Sequence, residues 1–230
     1  MLTINQKEEG YKYNIDSFLL ADFVTCSRDQ RIIDLGTGCG IIPLLLTKKC
    51  KYLTIIGIDI QSELIDIAKQ NKEANTLSDH TITFINNDIQ EVQQAWNPGY
   101  FNVVVTNPPY YKLGTGRINP HKDKAQARHE ISATIPDFIV AASYLLNNGG
   151  KFFTIFPVDR LIDLIVSVRD FKLEPKRMRF ISSRKSKPPH LFLLEAKKNA
   201  KPGLKVETPL YIYSEQGKYS ADIEHIFHLD

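Results

Sequence analysis

The stretch Asp34-Leu35-Gly36-Thr37-Gly38-Cys39-Gly40 decides the fold of this chain. It lies between a short apolar run, Arg31–Leu35, and an apolar segment of helical length, Ile41–Lys49. Glycines at such a junction let the backbone turn tightly and let a ligand approach the main chain. The stretch therefore predicts the first strand–turn–helix unit of a nucleotide-binding α/β sheet.

Strand-like and helix-like segments alternate along the rest of the chain. Further strands are predicted by the apolar, β-branched runs Leu53–Ile60, Thr81–Ile85, Tyr100–Thr106 and Lys151–Phe156. Helices are predicted at 63–75, 136–146 and 161–171, with the Asn-Asn-Gly-Gly of 147–150 as a helix stop. Because parallel neighbours need helical crossovers, this order indicates an α/β fold with a doubly wound, mostly parallel seven-stranded sheet. The runs Lys176–Ile181 and His190–Lys197 predict an antiparallel C-terminal hairpin at one edge.

Length and composition favour one soluble domain. The 230 residues suit a single core, and we expect one domain with a lead-in helix in 1–30, a core in 31–198 and a tail in 199–230. No apolar run approaches the roughly 20 residues of a membrane span, and Met1–Gly10 lacks the apolar core of a signal peptide. Cys26, Cys39 and Cys50 lack metal-knuckle spacing, so we expect reduced thiols, no metal site and a cytoplasmic location.

The glycine stretch carries an acid that a dinucleotide site would not favour. The third glycine of a G-x-G-x-x-G fingerprint would fall on Ile41, and Asp34 precedes the glycines. A carboxylate at this place suits a ligand with a positive amino group and a sulfonium, and it repels a pyrophosphate. Asp59, at the end of the second predicted strand, can accept protons from both hydroxyls of a ribose.

This pattern resembles the class I S-adenosylmethionine-dependent methyltransferases. The resemblance implies that the methionine end of the cofactor is held by Asp34, Gly36, Gly38 and Gly40. It also implies that Asp88 contacts the adenine amino group and that Asp16, in the lead-in segment 13–21, covers the methionine moiety. Both acids have a simpler interpretation, because Asp88 could cap a short helix and Asp16 could cap the lead-in helix.

The stretch Asn107-Pro108-Pro109-Tyr110 follows the fourth predicted strand and is interpreted as the reacting site. Ligands of open α/β sheets bind at the carboxyl ends of the strands, where the glycine stretch also lies. The Asn107 side-chain oxygen and the Pro108 carbonyl can each accept one hydrogen of an exocyclic amine, which aims the nitrogen lone pair at a sulfonium methyl. The prolines fix this turn, and the Tyr110 ring offers a surface on which a flipped base can stack.

The whole chain also resembles the bacterial tRNA-valine adenine methyltransferases, which modify the adenine next to the anticodon. Besides the two motifs, the resemblance rests on the lead-in Tyr13–Ala21, the block Ala127–Glu130 and the closing strand Leu191–Lys198. It implies methylation of the 6-amino group of an adenine in transfer RNA, with S-adenosylmethionine as the cofactor.

Other substrates stay open, because several amino methyltransferases share Asn-Pro-Pro-Tyr. The alternatives are a guanine-amino methyltransferase of ribosomal RNA, a glutamine-amide methyltransferase acting on release factors, and a non-catalytic RNA-binding factor that keeps the fold. A DNA adenine methyltransferase normally carries a separate target-recognition region, for which 230 residues leave little room. A glutamine methyltransferase typically has an extra N-terminal helical domain, and a non-catalytic factor would not need its glycines and Asn107 intact.

Basic charge is concentrated in two segments of an otherwise acidic chain. Residues 112–129 carry a net +4 and residues 172–187 a net +6, so the remainder carries −7 against a total of +3. Such a distribution indicates a polyanionic partner, although two solvated loops would look the same. The residues expected to contact RNA are Lys122, Lys124, Arg128, His129, Arg184 and Lys185.

Overall fold

The computed structural model describes residues 2–5, 15–108 and 133–227. The strands within them are β1 (Arg31–Leu35), β2 (Thr54–Asp59), β3 (Thr81–Asn86), β4 (Phe101–Thr106), β5 (Leu146–Pro157), β6 (Leu173–Ser182), β7 (Leu191–Lys198), β8 (Lys205–Val206) and β9 (Leu210–Tyr211). The helices are α1 (Ile15–Phe23), α2 (Ile41–Lys49), α3 (Ser62–Glu73), α4 (Val92–Ala95), α5 (Ile135–Leu145), α6 (Leu161–Asp170) and α7 (Ala221–Phe227).

All of these strands belong to one sheet, in the order β3-β2-β1-β4-β5-β7-β6-β8, with β9 also paired to β6. Strands β1 to β5 pair in parallel, and β7 is antiparallel to both β5 and β6. Strand β6 therefore points the same way as the parallel strands. The carboxyl ends of β1, β2, β3, β4, β5 and β6 meet along one side of the sheet, which we call the carboxyl edge.

Strand alternation divides the apolar residues between the two faces of the sheet. On β1 and β5, Ile32 and Phe153 belong to a core shared with α1, α2 and α7, whereas Ile33 and Phe152 belong to a core shared with α5 and α6. All four side chains are at most 1% exposed. The continuous apolar character of the strands thus reflects helices on both faces, as expected for a doubly wound sheet.

The predicted seven-stranded, mostly parallel sheet with an antiparallel hairpin is confirmed, with three differences. The reversed strand β7 lies inside the sheet, between β5 and β6, and not at its edge. The residues 147–150 do not lie outside the sheet; they form an irregularity at the start of β5, where the pairing with β4 shifts register. The tail adds β8, β9 and α7, which the sequence had not resolved.

The cysteine expectation is wrong for two of the three residues. Cys26 and Cys50 form a disulfide, with 6.4 Å between their Cα atoms. Cys26 follows α1 and Cys50 ends α2, and these two helices pack together, which the spacing in sequence did not indicate. Cys39 is a free, buried thiol.

The described residues contain no helix that is both long and apolar enough to cross a membrane. The same part of the chain brings no three His, Cys, Asp or Glu side chains together in an arrangement that could hold a metal ion.

Candidate active site

The glycine loop, residues 36–40, leaves β1 and is fastened to the end of β2. The N–H groups of Gly36 and Thr37 both donate to the carbonyl oxygen of Ile58, at 2.9 Å. The Gly38 N–H donates to Oδ2 of Asp59, also at 2.9 Å. The loop is therefore held at the carboxyl edge by backbone bonds and by one carboxylate.

The three glycines adopt the left-handed backbone that favours this residue, with φ of 73° at Gly36, 56° at Gly38 and 81° at Gly40. At Gly40, which caps α2, a Cβ would also lie 2.6 Å from the Phe84 ring and 3.1 Å from the Ala68 side chain. The third glycine thus has a packing role, because it lets α2 start directly against β3 and α3.

Asp34 is fully buried at the start of the glycine loop. Its Oδ2 accepts the Thr37 hydroxyl at 2.7 Å, while its Oδ1 has no hydrogen-bond partner among the residues that the structure describes. Burial raises the pKa of Asp34 from 3.8 to about 7, against the lowering effect of the Thr37 hydroxyl, and the nearby Asp59 charge raises it further. A buried acceptor without a donor is rare and expensive, and a positively charged ligand group would satisfy it.

Asp59 supports the glycine loop as well as pointing to the cofactor site. Besides the Gly38 N–H, its carboxylate accepts the Gln61 N–H through Oδ1 at 2.9 Å. Burial raises the pKa of this group, and the backbone donors lower it. An ionised carboxylate has about four acceptor positions, so two ribose hydroxyls can still bind beside these N–H groups. The ribose contact is predicted from the position of Asp59 at the end of a strand, whereas its contact with the loop is visible only in the structure.

The Asn107-Pro108 end of β4 adjoins the glycine loop. The hydroxyl of Thr106, itself buried, donates to the carbonyl oxygen of Leu35 at 2.7 Å, directly before Gly36. Asn107 is half-buried and Pro108 is buried. The two motifs are therefore neighbours in space, whereas Pro109 and Tyr110 lie outside the described residues.

Helix α5 begins beside the same loop. The Asp137 carboxylate accepts both the N–H and the hydroxyl of Thr134 at 2.7 Å, which fixes the first turn. One turn into the helix, the Phe138 ring lies 3.6 Å from the place of a Cβ on Gly36. Pro108 and Ala133, which flank residues 109–132, thus both lie near the glycine loop.

The two remaining acids differ in how the structure uses them. Asp88 is half-buried, and its Oδ1 accepts the Gln90 N–H at 2.9 Å as the cap of a short 3-10 helix, Ile89–Glu91. Asp16 is buried in the first turn of α1 instead of preceding the helix. The capping interpretation of Asp88 is confirmed, and its contact with an adenine stays a prediction, as does the contact of Asp16 with methionine.

Sequence reasoning missed Asn71 on α3. This residue is fully buried, and its amide donates to the carbonyl oxygens of Asn5 and Cys39, both at 2.9 Å. Its Oδ1 accepts the Asn5 N–H at 2.6 Å. One side chain therefore joins the N-terminal segment, α3 and the glycine loop. An asparagine on the apolar face of an amphipathic helix was the only available signal.

The basic residues of 172–187 fall into two groups. On β6, Arg177 pairs with Glu195 and Glu207, and Arg179 pairs with Asp222. The charges of these two arginines are therefore neutralised by ion pairs within the protein. Arg184 and Lys185 are exposed in the loop after β6, at the carboxyl edge. The residues Lys122, Lys124, Arg128 and His129 lie outside the described residues.

The geometry fits a cationic, nucleoside-containing ligand. Among the described residues Asp34 offers an unsatisfied acceptor, the glycine loop places left-handed backbone next to it, and Asp59 ends the neighbouring strand. Asn107 directly follows β4 beside this loop. Two surface depressions among the described residues, of about 380 and 240 Å³, contain none of these side chains.

Comparisons with known proteins place the chain in a family. A family model described as "Methyltransferase small domain" matches residues 12–158. The tRNA1(Val) (adenine(37)-N6)-methyltransferase of Vibrio campbellii is 26% identical over 97% of this chain and 90% of its own length. The protein of that name from Porphyromonas gingivalis is 30% identical over 72% of this chain and 65% of its own length.

Solved structures share the fold. The chain superimposes on a "predicted O-methyltransferase" from Agrobacterium tumefaciens with a TM-score of 0.73. The match covers 93% of this chain and 96% of that one, at 18% identity.

Proposed function

Because the chain belongs to the methyltransferase small domain family, we propose that it methylates the 6-amino group of an adenine in transfer RNA, using S-adenosylmethionine. The observation that carries the proposal is the adjacency of Asn107 to the glycine loop, fixed by the Thr106–Leu35 hydrogen bond of 2.7 Å. Methyl transfer to nitrogen requires a site that binds the amino group of the substrate directly beside a site that binds the cationic cofactor.

Asp34, the glycine loop and Asp59 would hold the cofactor, with Asp88 and Asp16 as further contacts. When bound, S-adenosylmethionine would supply the methyl group: an N–CH3 bond forms from the amine lone pair as the S–CH3 bond breaks, and sulfur takes the bonding electrons to become a neutral thioether. The Asn107 side-chain oxygen and the Pro108 carbonyl accept the two amino hydrogens of the adenine. The amine nitrogen then gains positive charge in a place prepared for it, and it loses one proton after transfer.

The substrate is inferred from the relatives and from charge. The curated relatives that match this chain carry the name tRNA1(Val) (adenine(37)-N6)-methyltransferase. The loop after β6 carries the exposed Arg184 and Lys185 at the carboxyl edge, and the basic segment 112–129 lies between two ends near the glycine loop. We propose that the loop after β6 and the segment 112–129 both contact the phosphates of the RNA. The contacts of the segment 112–129 would be made by Lys122, Lys124, Arg128 and His129.

We further propose that residues 1–230 form one domain, with the lead-in 1–30 and the tail 199–230 packed on the core 31–198. The contacts of α1 with α2 and of α7 with α1 support this division. As a transfer RNA-modifying enzyme, the protein would act in the cytoplasm.

The test is methyl transfer to unmodified RNA by Asn107→Ala. We expect the transfer rate to fall ~100-fold or more while calorimetry gives an unchanged affinity for S-adenosylmethionine, as for lost transition-state contacts. Asn102→Ala is the matched control, because Asn102 lies on β4 near its opposite end, where it accepts the Arg31 N–H at 2.9 Å. Near wild-type turnover by Asn107→Ala would exclude this motif as the reacting site.

The same assay distinguishes the substrates. Total RNA from cells, an unmodified tRNA-valine transcript, duplex DNA and a glutamine-containing peptide are offered separately. Digestion of the RNA and nucleoside mass analysis separate methyladenosine from methylguanosine. Methyladenosine from the tRNA is the expected product, and methylation of guanine or of the peptide amide alone would contradict the proposal.

A further inference from the structure

Two exposed tyrosines form a stack in the C-terminal tail. The rings of Tyr213 and Tyr219 lie 5.4 Å apart and are tilted by only 13°. The residues face each other across a turn, closed by the bond from the Ser214 N–H to the Lys218 carbonyl oxygen at 2.8 Å. The two residues remain 38% and 44% exposed. Large aromatic rings are normally covered, so an exposed stacked pair indicates a contact surface.

The pair is the outer end of a row of aromatic rings that starts on α1. Phe18, two residues after Asp16, packs edge to face on Phe227 at 5.2 Å. Phe227 packs on Tyr219 at 5.2 Å, and Tyr219 stacks on Tyr213. Tyr213 is the last ring of this row within the described residues. The row fixes the position of Tyr213 relative to α1.

This tyrosine turn, residues 213–219, lies at the carboxyl edge. The Tyr213 N–H donates to the Ser183 carbonyl oxygen at 2.9 Å, just beyond the end of β6. Strand β6 is three strands from β4 in the sheet. The backbone of Tyr213 continues the pairing of β9 beside β6 and is therefore one strand further away. At 4.7–4.9 Å per strand, the turn is roughly 19 Å from the Asn107 end of β4. That separation suits a nucleotide a few positions away from a reacting base.

Positive charge surrounds the turn. A terminal nitrogen of Arg184 lies 3.5 Å from the place of a Cβ on Gly217, so the loop after β6 contacts the turn directly. The basic side chains at this place are those of Arg184, Lys185, Lys187 and Lys218, all exposed. Within 2–5, 15–108 and 133–227, none of the four forms an ion pair, and Glu215 is the acid of the turn.

We propose that the tyrosine turn stacks an unpaired base of the RNA substrate through the Tyr213 ring. Arg184 and Lys185 would neutralise the adjoining phosphates. The inference rests on the proposed function and assigns a role to the tail. Aromatic rings beside cations are the standard means of holding single-stranded nucleic acid, because every base has a face for stacking. A base inside a duplex could not reach the ring, so the contact selects a loop or a splayed nucleotide.

The experiment compares Tyr213→Ala, Tyr213→Phe and Tyr213→Leu in the full chain, using an unmodified tRNA-valine transcript. Loss of a stacked base weakens binding by about 10-fold or more, so Tyr213→Ala should raise the Kd and KM for the RNA by that factor. Tyr213→Phe should stay near wild type, and Tyr213→Leu, which keeps apolar packing, should resemble alanine. The affinity for S-adenosylmethionine should be unchanged in all three.

Salt dependence separates stacking from charge. Stacking releases no counterions, so Tyr213→Ala should leave the slope of log affinity against log salt unchanged. The double variant Arg184→Ala/Lys185→Ala should flatten that slope by ~1–2. Tyr52→Ala is the matched control, since Tyr52 is 43% exposed but precedes β2 at the opposite edge.

Two results would overturn the inference while leaving the enzyme's activity intact. One is an RNA affinity of Tyr213→Ala equal to that of the wild type. The other is wild-type RNA affinity in Tyr213→Leu, which would show that the ring contributes only apolar packing. Failure of the wild-type protein to methylate any RNA would instead refute the proposed function.

Discussion

Asp34 combines full burial with a vacant acceptor oxygen, and both bear on its ionisation. Its pKa is raised from 3.8 to about 7 by burial, with Asp59 adding to the rise and the Thr37 hydroxyl opposing it. Because the folded-state pKa is above the unfolded one, the protonated group favours folding below about pH 4. That contribution is lost as the pH rises through 7. A cation bound next to Asp34 would reverse the preference by stabilising the carboxylate.

The first prediction concerns Asp34→Asn in the absence of ligand. The variant cannot ionise, so it should be more stable than wild type above pH 7, and this advantage should vanish toward pH 4. A shift of about three pKa units corresponds to about 4 kcal/mol, from which an unsatisfied amide subtracts about 1–3 kcal/mol. Thermal unfolding across pH measures it, with Asp66→Asn as an exposed control. Parallel pH profiles for wild type and Asp34→Asn would contradict the raised pKa.

The same carboxyl should make cofactor binding depend on pH. If S-adenosylmethionine requires ionised Asp34, its affinity for wild type should fall by up to tenfold per pH unit below about 7. Asp34→Asn should bind more weakly and without this slope. Calorimetry at pH 5.5 to 8.5 checks both statements, and a flat wild-type profile would remove Asp34 from the cofactor contacts.

At the scale of elements, the sequence pattern predicted those strands and helices whose formation depends on residues close together in the chain. The glycine junction, the buried β-branched strands and the amphipathic α3 were all predictable, because their periodicity reports burial directly. The helix Ile135–Leu145 ends directly before 147–150, as the asparagine–glycine run predicts, but the same run also opens β5 with a bulge, since asparagine and glycine favour turns and bulges alike. The strands β8 and β9 have two residues each and depend on pairing with β6, which no short window contains.

The N-terminal segment shows a second kind of interaction that a sequence pattern does not reveal. Asn71, on α3, and Asn75, four residues later and just after the helix, bind the backbones of Asn5 and Thr3 in the same way. Only Asn71 also donates to Cys39 in the glycine loop, at 2.9 Å. The two asparagines therefore form a natural pair of test and control.

We expect Asn71→Ala to weaken S-adenosylmethionine binding, because the glycine loop loses a support at Cys39. Loss of the buried hydrogen bonds should also lower the free energy of unfolding by ~1–3 kcal/mol. Asn75→Ala should leave cofactor affinity unchanged, since it loosens the N-terminal segment without touching the loop. If Asn71 acts by positioning the glycine loop, the KM for the cofactor should rise in Asn71→Ala while kcat stays nearly constant. Equal effects of Asn71→Ala and Asn75→Ala on cofactor affinity would exclude this positioning role.

At the scale of the molecule, candidate site residues from β1, β2 and β4 and the exposed cations after β6 share the carboxyl edge. The motifs predicted this for Asp34, Asp59 and Asn107, because strand ends in a parallel sheet meet at one edge. They could not predict which cations of 172–187 stay exposed. That division depends on Glu195 and Glu207, which are distant in sequence but pair with Arg177 on β6.

The corresponding prediction is for the segment 112–129. Replacing Lys122, Lys124 and Arg128 by alanine should flatten the slope of log RNA affinity against log salt by ~2–3 and weaken tRNA binding. Cofactor affinity should not change. Replacing Lys197 or Lys205, outside that segment, provides the control for net charge. A binding titration across salt concentrations measures the slope, and an unchanged slope would exclude these residues from phosphate contact.

The reversal of β7 has a practical consequence for watching the enzyme at work. Since β6 points with β1 to β5, the opposite edge holds the amino ends of these strands, the turns leading into them and the carboxyl end of β7. Ser78, in the exposed turn before β3, lies on that side. Strands of about six residues put it on the order of 20 Å from the reacting groups. A fluorescent reporter attached there could follow RNA docking in real time without standing in its path.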